Sequence, residues 1–179
     1  MRIIGALSLA LVGLISAAQA GELPASQKAF CEAIETGRAA YTKAAADTNR
    51  LRGSQAKAAA VEQLNKTLAP ILMSDEFRGW VGKVADVTQL PSGRAYVSVA
   101  LPCGAELSTI DKSAVAPDSA VFQTVAALDV GTVVRLSGRL VPHPSRPGQV
   151  YEMSFTEQGR VEAPEYAFAF TGLEPIATR

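Results

Sequence analysis

The sequence is poor in the side chains that most often perform chemistry. It holds one histidine, one tryptophan and two cysteines in 179 residues. The histidine, His143, lies in the proline-rich stretch VPHPSRPG, a setting typical of a solvated side chain. The chain contains no Gly-x-Ser-x-Gly elbow, no HExxH helix motif and no CxxC pair. These absences argue against an enzyme, and we expect no catalytic residues, no metal and no cofactor.

The chain also lacks an excess of either charge, with 17 Lys and Arg against 17 Asp and Glu. Proteins that bind nucleic acid usually present a strongly basic face. The charge balance therefore argues against a nucleic-acid partner. Beyond the N-terminus, no apolar run approaches the about 20 residues that a membrane-spanning helix needs. We expect no membrane span in the mature chain.

The first twenty residues have the pattern of a secretory signal peptide. Arg2 provides a positive start, residues 3–15 are mostly apolar, and Ala18-Gln19-Ala20 forms a small-x-small cleavage site before Gly21. The pattern predicts removal of residues 1–20 and a periplasmic or secreted protein.

Both cysteines, Cys31 and Cys103, lie in the predicted mature chain. An even number of cysteines in an oxidising compartment favours a disulfide. The alternative is two separate buried thiols.

The chain changes its hydrophobic period near residue 75. Residues 21–75 are rich in alanine and predict two helices, with Gly53 as the breaker between them. The second helix is expected over about residues 55–68, ended by Pro70. We interpret this region as an antiparallel hairpin that packs on the rest of the protein.

Residues 76–179 follow a period of two and form the second predicted region. Asp118 begins a short helical pattern after the third strand-like run. This order is typical of a small OB-type barrel, in which a helix joins strands three and four. The sequence thus predicts an α+β fold, with a helical hairpin packed on a five- or six-stranded OB-like β-barrel. The runs predicted as strands are WVGKVADV, AYVSVAL, ELSTI, TVVRLSGRLV, VYEMSF and EYAFAF.

The first strand carries glycine on both sides of the single tryptophan, in FRGWVGKV. We interpret Gly79 and Gly82 as positions where this long strand must bend or bulge. Trp80 is then a core residue that closes one end of the barrel. The alternative is a platform on which a ligand stacks.

Several of these segments resemble a family of exported bacterial proteins of unknown function. The resemblance covers about residues 77–173 and implies an OB-like domain, similar to the tRNA-anticodon-binding barrel in fold only. It implies export and no catalytic residues. The segments that carry it are FxxWVGKV, GRAYVSV, LST, VFQTVAALDVGTVVRLSGRL, EMSFTEQG and PEYAFAF.

Two surface sites of the predicted barrel, an arginine pair and a tyrosine, are candidates for ligand binding. Arg135 and Arg139 share the outer face of one strand and could hold a carboxylate or phosphate. The alternative is pairing with surface acids such as Glu152. Tyr96 lies on the second strand, where OB barrels commonly bind, next to loops at residues 92–93 and 143–146.

We therefore predict a non-enzymatic periplasmic binding or interaction module that acts on an envelope protein or an envelope-derived ligand. One alternative is a structural subunit of an envelope or secretion assembly. Another is an envelope hydrolase that uses paired carboxylates, for example Glu152 with Glu157 or Glu165.

Overall fold

Two long helices open the fold in the computed structural model, which describes residues 22–177. Helix α1 spans Ala25–Ala45 and helix α2 spans Arg50–Leu72. The Asn49 side chain caps α2 by accepting a hydrogen bond from the Arg52 backbone N–H at 3.1 Å. The helical hairpin predicted from the alanine-rich pattern is confirmed. The predicted signal peptide lies outside the described residues.

Both helix boundaries predicted from glycine and proline are wrong. The helices separate at residues 46–49, and Gly53 lies inside the first turn of α2. A Cβ atom at Gly53 would lie 3.0 Å from the Ala44 carbonyl oxygen, so glycine here permits close approach of the two helix ends. Pro70 lies within α2, which continues to Leu72. Pro70 lacks the N–H that would bond to the Lys66 carbonyl, but the helical bonding resumes after it, since the Met73 N–H donates to the Ala69 carbonyl at 3.1 Å.

Five strands follow and close into a barrel in the order β1-β2-β3-β5-β4. Strands β3 and β5 pair in parallel, and the other neighbours are antiparallel. A short helix lies between β3 and β4, where the sequence predicts one. The α+β fold is confirmed, and its strand order is consistent with the OB prediction. The elements are β1 Phe77–Gln89, β2 Ala95–Ala100, β3 Glu106–Ser108, α3 Ala120–Val125, β4 Val133–Leu140, α4 Glu157–Glu162 and β5 Glu165–Pro175.

The segment VYEMSF, predicted as a strand, contributes only isolated bridges between Pro142 and Val150 and between Glu152 and Tyr166. The connection from β4 to β5 then forms helix α4, which the sequence reading missed. Helix α3 begins after Ser119, whose side chain caps it by accepting from the Phe122 N–H, and not at Asp118 as the sequence predicts.

The glycines beside the tryptophan serve two different purposes. Gly79 has a φ of +67° at the point where the register between β1 and β4 shifts, which is the predicted bulge. Gly82 allows close packing instead, because a Cβ there would lie 2.5 Å from the Val99 side chain. Between them, Trp80 is 1% exposed and belongs to the core.

The helices and the barrel share one hydrophobic core. Phe30 of α1 packs with its ring centroid 5.2 Å from Trp80 and 5.9 Å from Tyr166. Tyr166, Phe168 and Phe170 are buried along β5, as their spacing predicts. Burying a large apolar side chain stabilises a fold by about 1.5–3 kcal/mol, so this shared core is a main cause of helix docking.

Polar and covalent contacts hold helix α1 at one position on the barrel. Buried Gln27 donates to the Val81 carbonyl at 2.6 Å and accepts from the Val81 N–H at 2.8 Å. Cys31 and Cys103 form the predicted disulfide, with Cα atoms 5.2 Å apart. Arg38 donates to the Cys103 carbonyl at 2.6 Å. Because the Gln27 side chain satisfies both the N–H and the carbonyl of Val81, helix α1 can dock on β1 in one register only.

Within residues 22–177, no helix combines the length and the apolar composition needed to cross a membrane.

Candidate functional site

A cleft of about 460 Å³ opens between helix α2 and the connection from β4 to β5. Ala69 and Leu72 form part of the α2 wall, and His143 and Arg160 belong to the opposite wall. Tyr166, at the start of β5, lies at the base. Small-molecule sites in proteins commonly have volumes of about 300–1,000 Å³ and a few convergent polar groups. The cleft has both properties.

A second concavity, of about 390 Å³, lies between α1 and α2. Its lining is mainly small and apolar and includes Ala33, Gly37 and Leu64. A Cβ at Gly37 would come within 2.9 Å of Leu64, so this surface follows from close helix packing. We take the first cleft as the candidate site because three charged side chains, Arg146, Glu152 and Arg160, line it, whereas Glu32 is the one charged residue among the described residues that line the second.

An ion pair between Arg160 and Glu152 organises one wall of the cleft. The Arg160 Nε lies 2.7 Å from one carboxylate oxygen of Glu152. The other oxygen accepts a hydrogen bond from the Ser154 N–H at 2.9 Å. Both Glu152 oxygens therefore already have protein partners. Thr156 accepts from the Gly159 N–H at 2.9 Å and caps α4, the helix that carries Arg160.

Tyr166 provides a hydroxyl in an almost completely buried setting, since the residue is only 3% exposed. Burial raises the pKa of Tyr166, and the negative charge of Glu152 raises it further, while Arg160 opposes the change. The phenol therefore stays protonated at neutral pH and can donate a hydrogen bond.

His143 is held in a defined orientation on the cleft wall. Its Nδ1 accepts a hydrogen bond from the Ser145 N–H at 3.1 Å, and its ring meets the Tyr151 ring edge-on with centroids 5.3 Å apart. A nitrogen that accepts carries no proton, so in this arrangement the ring proton is on Nε2. The histidine thus offers a donor rather than a base at Nε2.

The sequence-predicted arginines lie on the barrel wall and outside the cleft lining. Arg135 and Arg139 are both exposed on the same face of β4. Arg135 is opposite Glu174 in the register with β5, and Arg139 is opposite an alanine. Within residues 22–177, neither arginine forms an ion pair with Glu152, the acid named in the alternative, because Glu152 contacts Arg160 instead.

Tyr96 is half-buried on β2, on the opposite side of that strand from the core residue Val97. Burial raises the pKa of Tyr96, a hydrogen bond with Ser108 lowers it, and the charges of Glu165 and Glu106 raise it again. Tyr96 thus belongs to a polar face of the barrel that does not include Trp80, Arg135 or the cleft.

That polar face carries carboxylates where OB barrels commonly bind ligands. Glu106 and Glu165 are direct neighbours across β3 and β5, and Glu106 accepts a hydrogen bond from Ser98. Ser108 donates to Ser98 at 3.2 Å.

Sequence reasoning missed Arg160 and the role of Tyr166 in the cleft. The Thr156 cap followed by an acidic first turn was a usable signal for α4. His143 and Arg146 were assigned to a loop that flanks the barrel, and the structure places them against α2. Across the part of the chain that the structure describes, no group of three His, Cys, Asp or Glu side chains is arranged to hold a metal ion.

A scan of the chain against protein-family models finds no matching family. A search of curated proteins likewise finds no match.

Proposed function

We propose that this protein is an exported, non-enzymatic binding module with an OB-like barrel, and that its cleft takes an envelope-derived ligand. The secretory pattern of residues 1–20 and the Cys31–Cys103 disulfide support export. The strand order, with a helix between β3 and β4, supports the OB-like assignment.

The observation that carries the proposal is the cleft itself. Its volume of about 460 Å³ suits a small molecule or the end of a larger one. Leu72 and Val150 offer half-buried apolar surface, and Arg160 and His143 offer hydrogen-bond donors. A ligand with one apolar and one polar end matches this division of the lining.

The contacts that Glu152 and His143 make within the protein support binding rather than catalysis. A general base must reach the proton that it removes, and a side chain held by its own chain has less freedom to do so. One Glu152 oxygen accepts a hydrogen bond from the Ser154 N–H, and the other lies 2.7 Å from the Arg160 Nε in an ion pair. The Nδ1 of His143 accepts from the Ser145 N–H. These groups therefore act as supports for the wall.

The test uses a neutral amphipathic fluorophore, N-phenyl-1-naphthylamine, whose emission rises in apolar surroundings. We expect saturable binding to the mature protein at one site. An Ala69→Trp substitution fills the cleft from the exposed surface of α2 and should weaken binding at least about tenfold, which corresponds to about 1.4 kcal/mol.

The matched control is Ala58→Trp, at an exposed position of the same helix that is not part of the cleft lining. It should bind the fluorophore as the wild type does. Absence of saturable binding, or equal binding by the Ala69→Trp protein, would contradict the cleft as a ligand site.

A further inference from the structure

The charged side chains of the cleft are unequal in sign. Arg146 and Arg160 face a single carboxylate, that of Glu152. Among residues 22–177, Arg146 takes part in no ion pair and is exposed. The lining therefore has a net charge of one positive unit, from two arginines and one carboxylate. A ligand with one negative charge would balance it.

The Arg160–Glu152 pair leaves most of the guanidinium available. A guanidinium has five N–H donors, and Glu152 engages Arg160 through Nε. The Arg160 side chain is 44% exposed, so its remaining donors can reach a ligand in the cleft. The Glu152 side chain is only 16% exposed, and Ser154 holds its second oxygen, so the carboxylate is a fixed support. Glu152 thus orients Arg160 while leaving its outer edge free.

The surroundings of the pair strengthen an interaction with an anion. Tyr166 is nearly buried at the base, and Leu72 is half-buried on the α2 wall. Charge-assisted hydrogen bonds are stronger where water is partly excluded. Met73, which is 61% exposed, extends the apolar surface at the end of α2. An anionic group at Arg160 would therefore lie beside a surface suited to an apolar body.

We propose that the cleft selects a ligand with a single anionic group attached to an apolar body, and that Arg160, oriented by Glu152, binds the anionic group. The inference rests on the proposed binding function of the cleft. It adds the charge class of the ligand and the residue that recognises it.

The experiment compares two probes that share one apolar body. The probe 8-anilinonaphthalene-1-sulfonate carries the same anilinonaphthalene group as N-phenyl-1-naphthylamine, with one sulfonate added. We expect the sulfonate probe to bind the mature protein at least about tenfold more tightly. In the Arg160→Gln protein this preference should fall about tenfold, while the neutral probe still binds within about twofold of wild type.

Two further variants separate recognition from general charge. Arg139→Gln removes an exposed arginine outside the cleft and should leave both affinities unchanged. Arg160→Lys keeps the charge but loses the guanidinium geometry, so its sulfonate preference should lie between those of wild type and Arg160→Gln.

The outcomes distinguish this inference from the binding function beneath it. Equal wild-type affinity for the two probes, an equal loss of both in Arg160→Gln, or a wild-type preference in Arg160→Lys would overturn the inference. In each case binding of the neutral probe would leave the cleft as a ligand site. Failure of the wild type to bind either probe would overturn both proposals.

Discussion

Reducing the Cys31–Cys103 disulfide is expected to lower the free energy of unfolding by about 4 kcal/mol. The bridge joins residues 72 positions apart and so closes a long loop in the unfolded chain. In the chain-entropy model, opening a loop of this length frees unfolded-state entropy worth about 4–5 kcal/mol at 25 °C. For a chain of this size, that change corresponds to a fall of roughly 10–15 °C in Tm.

The folded state should change little on reduction. Gln27 still holds the Val81 backbone, and Arg38 still donates to the Cys103 carbonyl and, at 2.5 Å, to the Glu162 carbonyl. Phe30 remains packed on the barrel core. We therefore expect the reduced protein to keep its far-ultraviolet circular dichroism spectrum and to unfold at a lower urea concentration.

The assay is urea unfolding of the oxidised protein, the reduced protein and a Cys31→Ala/Cys103→Ala variant. The double variant also removes buried sulfur atoms, so it should be somewhat less stable than the reduced wild type. A thiol titration of the denatured oxidised protein should find no free thiol. A loss below about 1 kcal/mol, with the bridge shown to be intact before reduction, would refute the chain-entropy reasoning.

Two other perturbations test the core and the cleft. Gln27→Met leaves the buried N–H and carbonyl of Val81 without their partner, and should cost about 2–4 kcal/mol in urea unfolding. A cost near zero would contradict the role of Gln27. Because the pKa of Tyr166 is raised on folding, its stabilisation is complete below about pH 10 and is lost as the pH rises further. The Tyr166→Phe protein should therefore lose less stability than wild type between about pH 9 and pH 11, measured by Tm, and parallel losses would contradict this reasoning.

Local sequence patterns were sufficient for most of the barrel strands. Residues 133–140 alternate because one face of the strand meets the core and the other meets solvent. In β1 the alternation is interrupted at residues 80–82, which are all buried. The disulfide followed from the even cysteine count together with the secretory pattern. Gly79 beside Trp80 indicated the bulge, because a positive φ is costly for any residue with a Cβ atom.

The same patterns failed where a partner distant in sequence decides the outcome. The segment VYEMSF alternates like a strand, yet pairs only through isolated bridges between β4 and β5. Gly53 has the pattern of a helix breaker in the sequence. The structure gives another reason for glycine at this position, which is its close approach to the Ala44 carbonyl, a tertiary contact. Local periodicity does not report such contacts.

The sequence by itself determined most of the helical and strand-forming segments, the scarcity of catalytic side chains and the means to form a disulfide. These properties depend on local periodicity, turn residues and composition. Only the tertiary structure decided the candidate site, because it brings α2 against a connection more than seventy residues later in the chain. Glu152 orients Arg160, and burial raises the pKa of Tyr166. No local sequence pattern encodes either the contact or the burial.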